Sequence, residues 1–208
     1  MTQILGAETR AETTLSALEK AEARCKRCPL YLNATQVVPG QGSREARLMF
    51  VGEQPGDMED RAGKPFVGPA GKVFDRALED AGIPRREVFV TNAVKHFKFD
   101  QRGKRRLHKR PNTLEIERCK WWLDQERGLV KPALIVMMGA TAVRSLLGRP
   151  GTISKLRGRA YALADGSPYL VTVHPSYLLR IRDQETRQRE YNAFVEDLMQ
   201  CWRVAGSR

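Results

Sequence analysis

A chain of 208 residues, 41% of them hydrophobic, is long enough to bury one good core and reads as a single domain over residues 1–208. No stretch approaches the roughly 18 to 20 uncharged apolar residues of a membrane span, and "MTQILGAETRAETTLSALEK" lacks the basic-then-apolar order of a signal peptide. A cytoplasmic monomer with no membrane partner is expected, and the formal charge of +12, from 36 Lys+Arg against 24 Asp+Glu, favours a polyanionic partner such as nucleic acid.

The elements alternate along the chain. An amphipathic helix from about Ala11 to Arg24, with Leu15, Leu18 and Ala21 on one face, leads into "CKRC" and an irregular connection through Gly42. Four apolar runs follow: "RLMFV" (47–51), "EVFVTNAV" (87–94), "ALIVMM" (133–138) and "YLVTV" (169–173). Each is short, rich in Val, Leu, Ile or Phe, and bounded by turn-forming residues, as expected for strands buried on both faces. Helical patterns lie between them: "AGKVFDRALEDAG", "TLEIERCKWWLDQERG", "TAVRSLLG", and a last helix from about Glu185 to Val204. The βαβ order predicts a three-layer α/β/α fold around a central, mainly parallel, four-stranded sheet.

Charge is concentrated between Lys95 and Arg110, where eight Lys/Arg oppose one acid, Asp100, for +7 in sixteen residues. Charge alone leaves this segment as either a phosphate grip or a solvated, partly disordered loop. A second basic stretch, Arg144 to Arg159, has five Lys/Arg and no acid.

Ligands of open parallel sheets bind beyond the carboxyl ends of the strands. There the sequence has "GEQPGD", "TNAVKH" and "HPSYLLR", so Glu53, Gln54, Asn92 and His174 converge at one edge. Each alone has an ordinary explanation as a cap, a solvated acid or a structural histidine; together they point to a pocket. "GPAGK" is not a P-loop, because Lys72 is followed by Val73 and the first glycine of the six-residue frame is missing. Its glycines, Gly68 and Gly71, instead open a helix whose first amides are expected to meet a phosphate.

Four cysteines in a cytoplasmic protein suggest metal binding more than disulfides. Cys25 and Cys28 form a C-x2-C pair, Cys119 lies in a helical segment and Cys201 in the last helix, so an all-cysteine site is the simplest arithmetic.

"GEQPG", "GKPFVGPAGKVFD", "TNAVK" and "HPSYLLR", in this order from about Cys25 to Arg180, resemble the uracil-DNA glycosylase superfamily, specifically its bacterial iron-sulfur members called family 4. The resemblance implies an enzyme that flips deoxyuridine out of DNA, single- or double-stranded, and breaks its N-glycosidic bond. Phe66 would stack on the uracil, Asn92 would pair with its polar edge, and His174 would stabilise charge on the departing base. Gly52 and Asp57 are expected around the base, and Ser176 and Arg180 on the DNA. These roles are chemically reasonable: a flipped base needs an aromatic face and an amide to read it. A donor for the leaving base and a carboxylate such as Glu53 for the sugar cation each stabilise developing charge.

The resemblance also implies a [4Fe-4S] cluster, whose third cysteine would follow the "N-x-V-K" ending the second strand. Here that position is His96, so the expected ligands are Cys25, Cys28, His96 and Cys119, with Cys201 a bystander; zinc or an incomplete site is the alternative. The stretch "GKRRLHKRPN" lengthens the segment between His96 and Cys119 and resembles the "KRRIH"-like insertion of the UdgX branch. In that branch the loop histidine attacks the anomeric carbon after uracil leaves. His108 is the matching residue, a side chain able to be a neutral nucleophile near pH 7, and Lys104, Arg105, Arg106 and Lys109 would hold the loop against phosphates. Gln54 cannot take a proton from water, which leaves room for a protein nucleophile. A turnover glycosylase in which His108 only grips DNA, and an inactive iron-sulfur DNA-binding protein, are the other readings.

Overall fold

The protein is described here by a computed structural model covering residues 12–206. The expected first helix begins in part outside those residues, at Ala11. Within them it runs over α1 (Leu15–Glu22), started by Thr14, whose hydroxyl accepts the Ala17 N–H at 3.1 Å.

The four apolar runs become β1 (Leu48–Gly52), β2 (Val88–Asn92), β5 (Leu134–Met138) and β7 (Pro168–Thr172), side by side and parallel in the order β2-β1-β5-β7. Every residue of β1, β2 and β5 is buried, because helices cover both faces. The two-residue period divides them between two cores. Leu48, Phe50, Val88, Val90, Leu134 and Val136 pack on α3 (Pro69–Asp80), α7 (Pro175–Arg180) and α8 (Gln184–Gly206) through Phe74, Leu78, Leu178, Phe194 and Leu198. Met49, Val51, Phe89, Ile135 and Met137 pack on the other side against α4 (Thr113–Val130) and α5 (Ala140–Leu147) through Leu123, Val143 and Leu146.

The sheet has a fifth strand that the apolar runs do not announce. β6 (Ala160–Ala162) pairs antiparallel with β7 at the edge, its Tyr161 ring stacked on Tyr169 at 5.4 Å. Three half-exposed residues carry too little hydrophobic signal to read as a strand, so the expected count of four is corrected to five. Two short helices, α2 (Asp57–Ala62) and α6 (Ile153–Leu156), complete the connections.

The basic segment is neither an irregular loop nor disordered. Phe99–Arg102 (β3) and Arg105–His108 (β4) form an antiparallel hairpin outside the main sheet, turned at Gly103, which takes the left-handed φ of 56°. A two-stranded ribbon is marginal on its own, so what anchors it decides where His108 sits.

Candidate active site

Glu53 and Gln54 follow β1, Asn92 ends β2, Gly139 and Thr141 follow β5, and His174 follows β7. All stand at the carboxyl edge of the parallel strands, because the helical crossovers bring each of these strands back in the same direction.

Gly52 shows how closely the first group converges. A methyl group there would overlap the Asn92 Oδ1 and would lie 3.0 Å from Phe66 Cζ and 3.4 Å from His174 Nε2. Gly52, Phe66, Asn92 and His174 therefore bound one small space. Phe66 reaches it from a left-handed backbone, φ 57°, unusual for an aromatic residue. Gly71 is what permits this, since any side chain at its position would collide with the Phe66 carbonyl. The Phe66 ring then lies 5.3 Å from Phe74 and 6.1 Å from the His174 ring.

The tautomer of His174 follows from its neighbours. The Ser176 N–H donates to Nδ1 at 3.2 Å, so the ring proton sits on Nε2, the nitrogen that faces the pocket. Burial, only partly offset by Glu53, pushes the imidazole down to about 4 from 6.5, so it is neutral at physiological pH. A neutral N–H donor aimed into a closed space suits an oxygen that gains negative charge.

Glu53 links this pocket to the hairpin. Its Oε1 lies 3.1 Å from His108 Nε2, and its Oε2 accepts the Thr141 hydroxyl at 2.9 Å. Burial opposes charge on Glu53, but hydrogen bonds from His108 and Thr141 outweigh it and hold the carboxyl below its usual range.

The hairpin is tied down at two points. Gln54, buried, donates to the carbonyls of Lys98 and Lys109 at 3.1 Å each and accepts the Lys98 N–H at 3.2 Å, closing the open end of the ribbon. Arg106 anchors the middle. Its guanidinium pairs with Asp57 and with the buried Asp60, donates to Thr35 Oγ1 at 3.0 Å, and lies over the Phe97 and Phe99 rings at 5.4 and 5.1 Å.

Several expected DNA contacts thus have other partners. Arg106 is turned inward because β4 alternates, placing it with His108 on the face toward the body and Arg105 on the other. Asp57, expected beside the base, is in this structure the ion-pair partner of Arg106 and Arg61. The Gly68 N–H, expected to face a phosphate, donates to Glu59 Oε1 at 2.8 Å, while Gly56 N–H holds the other oxygen. Gly71 serves the Phe66 turn, and Lys109 Nζ reaches Asp100 at 2.9 Å. Lys104 and Arg105 are exposed on the hairpin, and Arg180, also exposed, reaches Ser176 Oγ at 3.4 Å.

Thr141, Asp60 and Glu59 were not anticipated. The strand-end rule, extended to β5, would have found Thr141; an acid in a short helix such as α2 gives no comparable signal.

Cys25, Cys28 and Cys119 share one apolar cluster with Leu18, Leu30, Val94, Ile116 and Trp122. Trp122 Nε1 donates to Cys25 Sγ at 3.0 Å and Lys95 N to Cys119 Sγ at 3.2 Å. Such N–H donors suit sulfur that carries negative charge, so the chemistry of the three thiols fits a thiolate-bound group. Among the described residues, no three His, Cys, Asp or Glu side chains close around a common point. His96 is buried with Asp60 as the charged group acting on it, and Cys201 lies apart, on the buried face of α8.

Comparison with known proteins is consistent with this geometry. Residues 39–199 match the family model of the uracil DNA glycosylase superfamily. The chain is 36% identical to a type-4 uracil-DNA glycosylase of Thermotoga maritima over 178 residues, 85% of this chain and 89% of that one. It is 36% identical to the type-4 enzyme of Pyrobaculum aerophilum over 173 residues, 80% and 85% of the two chains. A type-5 uracil-DNA glycosylase of Thermus thermophilus is 28% identical over 188 residues, 81% and 80%.

Proposed function

Since the chain belongs to the uracil DNA glycosylase superfamily, we propose that it excises uracil from DNA and then becomes covalently linked to the resulting sugar through His108. The observation that carries the second half is the 3.1 Å contact between His108 and Glu53, at the edge of the pocket bounded by Gly52, Phe66, Asn92 and His174.

In this reading the flipped uracil stacks on Phe66 and is read by the Asn92 amide. The C1′–N1 bond breaks with its electron pair passing to the uracil, whose growing charge meets the His174 Nε2–H; the Glu53 carboxylate stabilises the sugar cation. The His108 nitrogen turned away from Glu53 then forms the new bond to C1′. The proton on its other nitrogen passes to Glu53, so the attached imidazole ends neutral. The hairpin supplies proximity: a held nucleophile can gain an effective molarity on the order of 10^5 M. Gln54 contributes as a tether and is no base for water. Lys104 and Arg105 would meet phosphates, with Ser176 and Arg180 contacting DNA beside the pocket.

Cys25, Cys28 and Cys119 would hold a [4Fe-4S] cluster with His96 as fourth ligand. When bound it would brace the end of α1 against α4 as a structural group and takes no part in breaking the bond. The type-4 relatives support a second reading, ordinary turnover with release of an abasic product.

The test is a denaturing gel with uracil-containing single-stranded DNA. A shifted band that His108→Ala abolishes, while uracil release continues through water entering the vacated space, is the expected result. Free abasic product from the wild type favours the second reading. A resistant complex in the His108→Ala protein, or a borohydride-reducible link to Lys104 or Lys109, overturns the mechanism.

A further inference from the structure

Glu53 has two oxygens and two partners, and they divide without overlap: Oε1 meets His108 and Oε2 meets Thr141. A carboxylate on a glutamate side chain turns almost freely about its last torsion. Something must hold Oε1 toward the hairpin. Thr141 is buried, at the second position of α5, and its backbone belongs to a helix that Gly139 starts directly after β5. A threonine inside a helix usually returns its hydroxyl to the carbonyl four residues earlier. Here that residue is Met137, inside β5, where its backbone follows the strand and not the helix. The hydroxyl instead reaches across 88 residues of sequence to Glu53. The first turn of α5 also presents its positive dipole end to the same carboxylate.

We infer that Thr141 is a positioning residue, fixing the rotation of Glu53 so that one oxygen is always presented to the hairpin histidine. It touches neither sugar nor base, and it acts only through Glu53. The inference rests on the covalent reading for its effect on adduct formation, but not for its effect on Glu53 itself. The titratable groups acting on Glu53 are His108 on β4 and His174 at the start of α7.

Thr141→Val keeps the shape and removes the hydroxyl; Thr141→Ser restores it. In the free protein, the Glu53 carboxyl carbon followed by 13C NMR should titrate at higher pH in Thr141→Val than in wild type, because the hydroxyl bond that lowers its pKa is gone. Single-turnover adduct formation should slow about tenfold, the loss expected for one hydrogen bond to a charged group. Its acid limb should move up with the Glu53 titration, and Thr141→Ser should return both to near wild type. A Thr141→Val protein with unmoved Glu53 titration overturns the inference, whatever its activity. So does a rate loss that accompanies a lowered Tm with no change in the acid limb, since that marks a structural role alone. If the wild type forms no adduct, the covalent reading fails, and the Glu53 titration still decides for or against Thr141.

Discussion

The pocket and the hairpin face the same space but are built from opposite materials. Gly52, Asn92 and His174 stand at the ends of strands that are almost wholly buried, where position is set by close packing. His108 stands on a four-residue strand with mostly exposed neighbours, held by one arginine against two aspartates and one glutamine against three backbone groups. The difference teaches that, under the proposed mechanism, base recognition and sugar capture would have separate supports. A change can therefore remove one and spare the other.

The sheet also has a polar fastening, and it gives the largest expected effect. Lys95 is fully buried behind β2, its ammonium on Glu126 at 2.6 Å and on Thr91, while Glu126 also takes the Gly40 N–H at 2.8 Å. Burial works against the lysine charge, but Glu126 and Glu22 outweigh it and the pKa is raised. Glu126→Ala leaves the buried lysine without its ion-pair partner. Destabilisation of about 3 to 5 kcal/mol is expected by chemical denaturation, and an unchanged midpoint would show that the two supports are not so different.

His174 provides a pH test of the same side. Its folded pKa of about 4 lies below the ordinary 6.5, so the unfolded chain binds the proton first as pH falls. Stability is fully present above about 6.5 and is lost between there and about 4, by up to roughly 3 kcal/mol. His174→Gln should flatten that part of the stability profile; an unaltered profile would place the acid sensitivity elsewhere.

Arg106→Ala acts on the hairpin alone. Stability should fall by about 1.5 to 3 kcal/mol, the value of charge-assisted hydrogen bonds to a largely buried guanidinium, while adduct formation slows by up to about 100-fold as His108 loses its placement. Uracil release should persist. Equal loss of release and adduct would join what this comparison separates.

The smallest effect belongs to Arg105, on the outer face of β4. Arg105→Ala should leave stability within about 0.5 kcal/mol and weaken DNA binding by a phosphate contact, lowering the slope of log affinity against log salt by roughly one. A salt slope equal to wild type would remove Arg105 from the DNA interface.

Much of the site was legible because the parallel sheet has a rule attached to it. Apolar runs mark strands, strands in βαβ order point one way, and the residues after them meet at one edge; Glu53, Asn92 and His174 follow from that alone. The rule had equal force for Thr141, after β5, where it was not applied. Where it does not reach, the residues alone do not say which partner each group takes. Arg106 carries the same charge as Arg105 in the sequence, and no local property distinguishes the one that faces Asp60 from the one that faces solvent. Gly68 and Gly71 suggested an anion site by composition, yet Glu59 takes the amide of one and the Phe66 carbonyl claims the space beside the other.

By itself the sequence determined the layered α/β core, since hydrophobic period and turn chemistry are local and each strand carries its own. It also placed the chemical groups that could form a pocket. Only the tertiary structure decided that the basic segment is a ribbon, that Arg106 and Gln54 are its fastenings, and that Glu53 bridges His108 and Thr141. Those facts depend on partners 44 to 88 residues apart. A hairpin of polar residues buries too little apolar surface to fix its own position, so the carboxylates and carbonyls it meets must fix it.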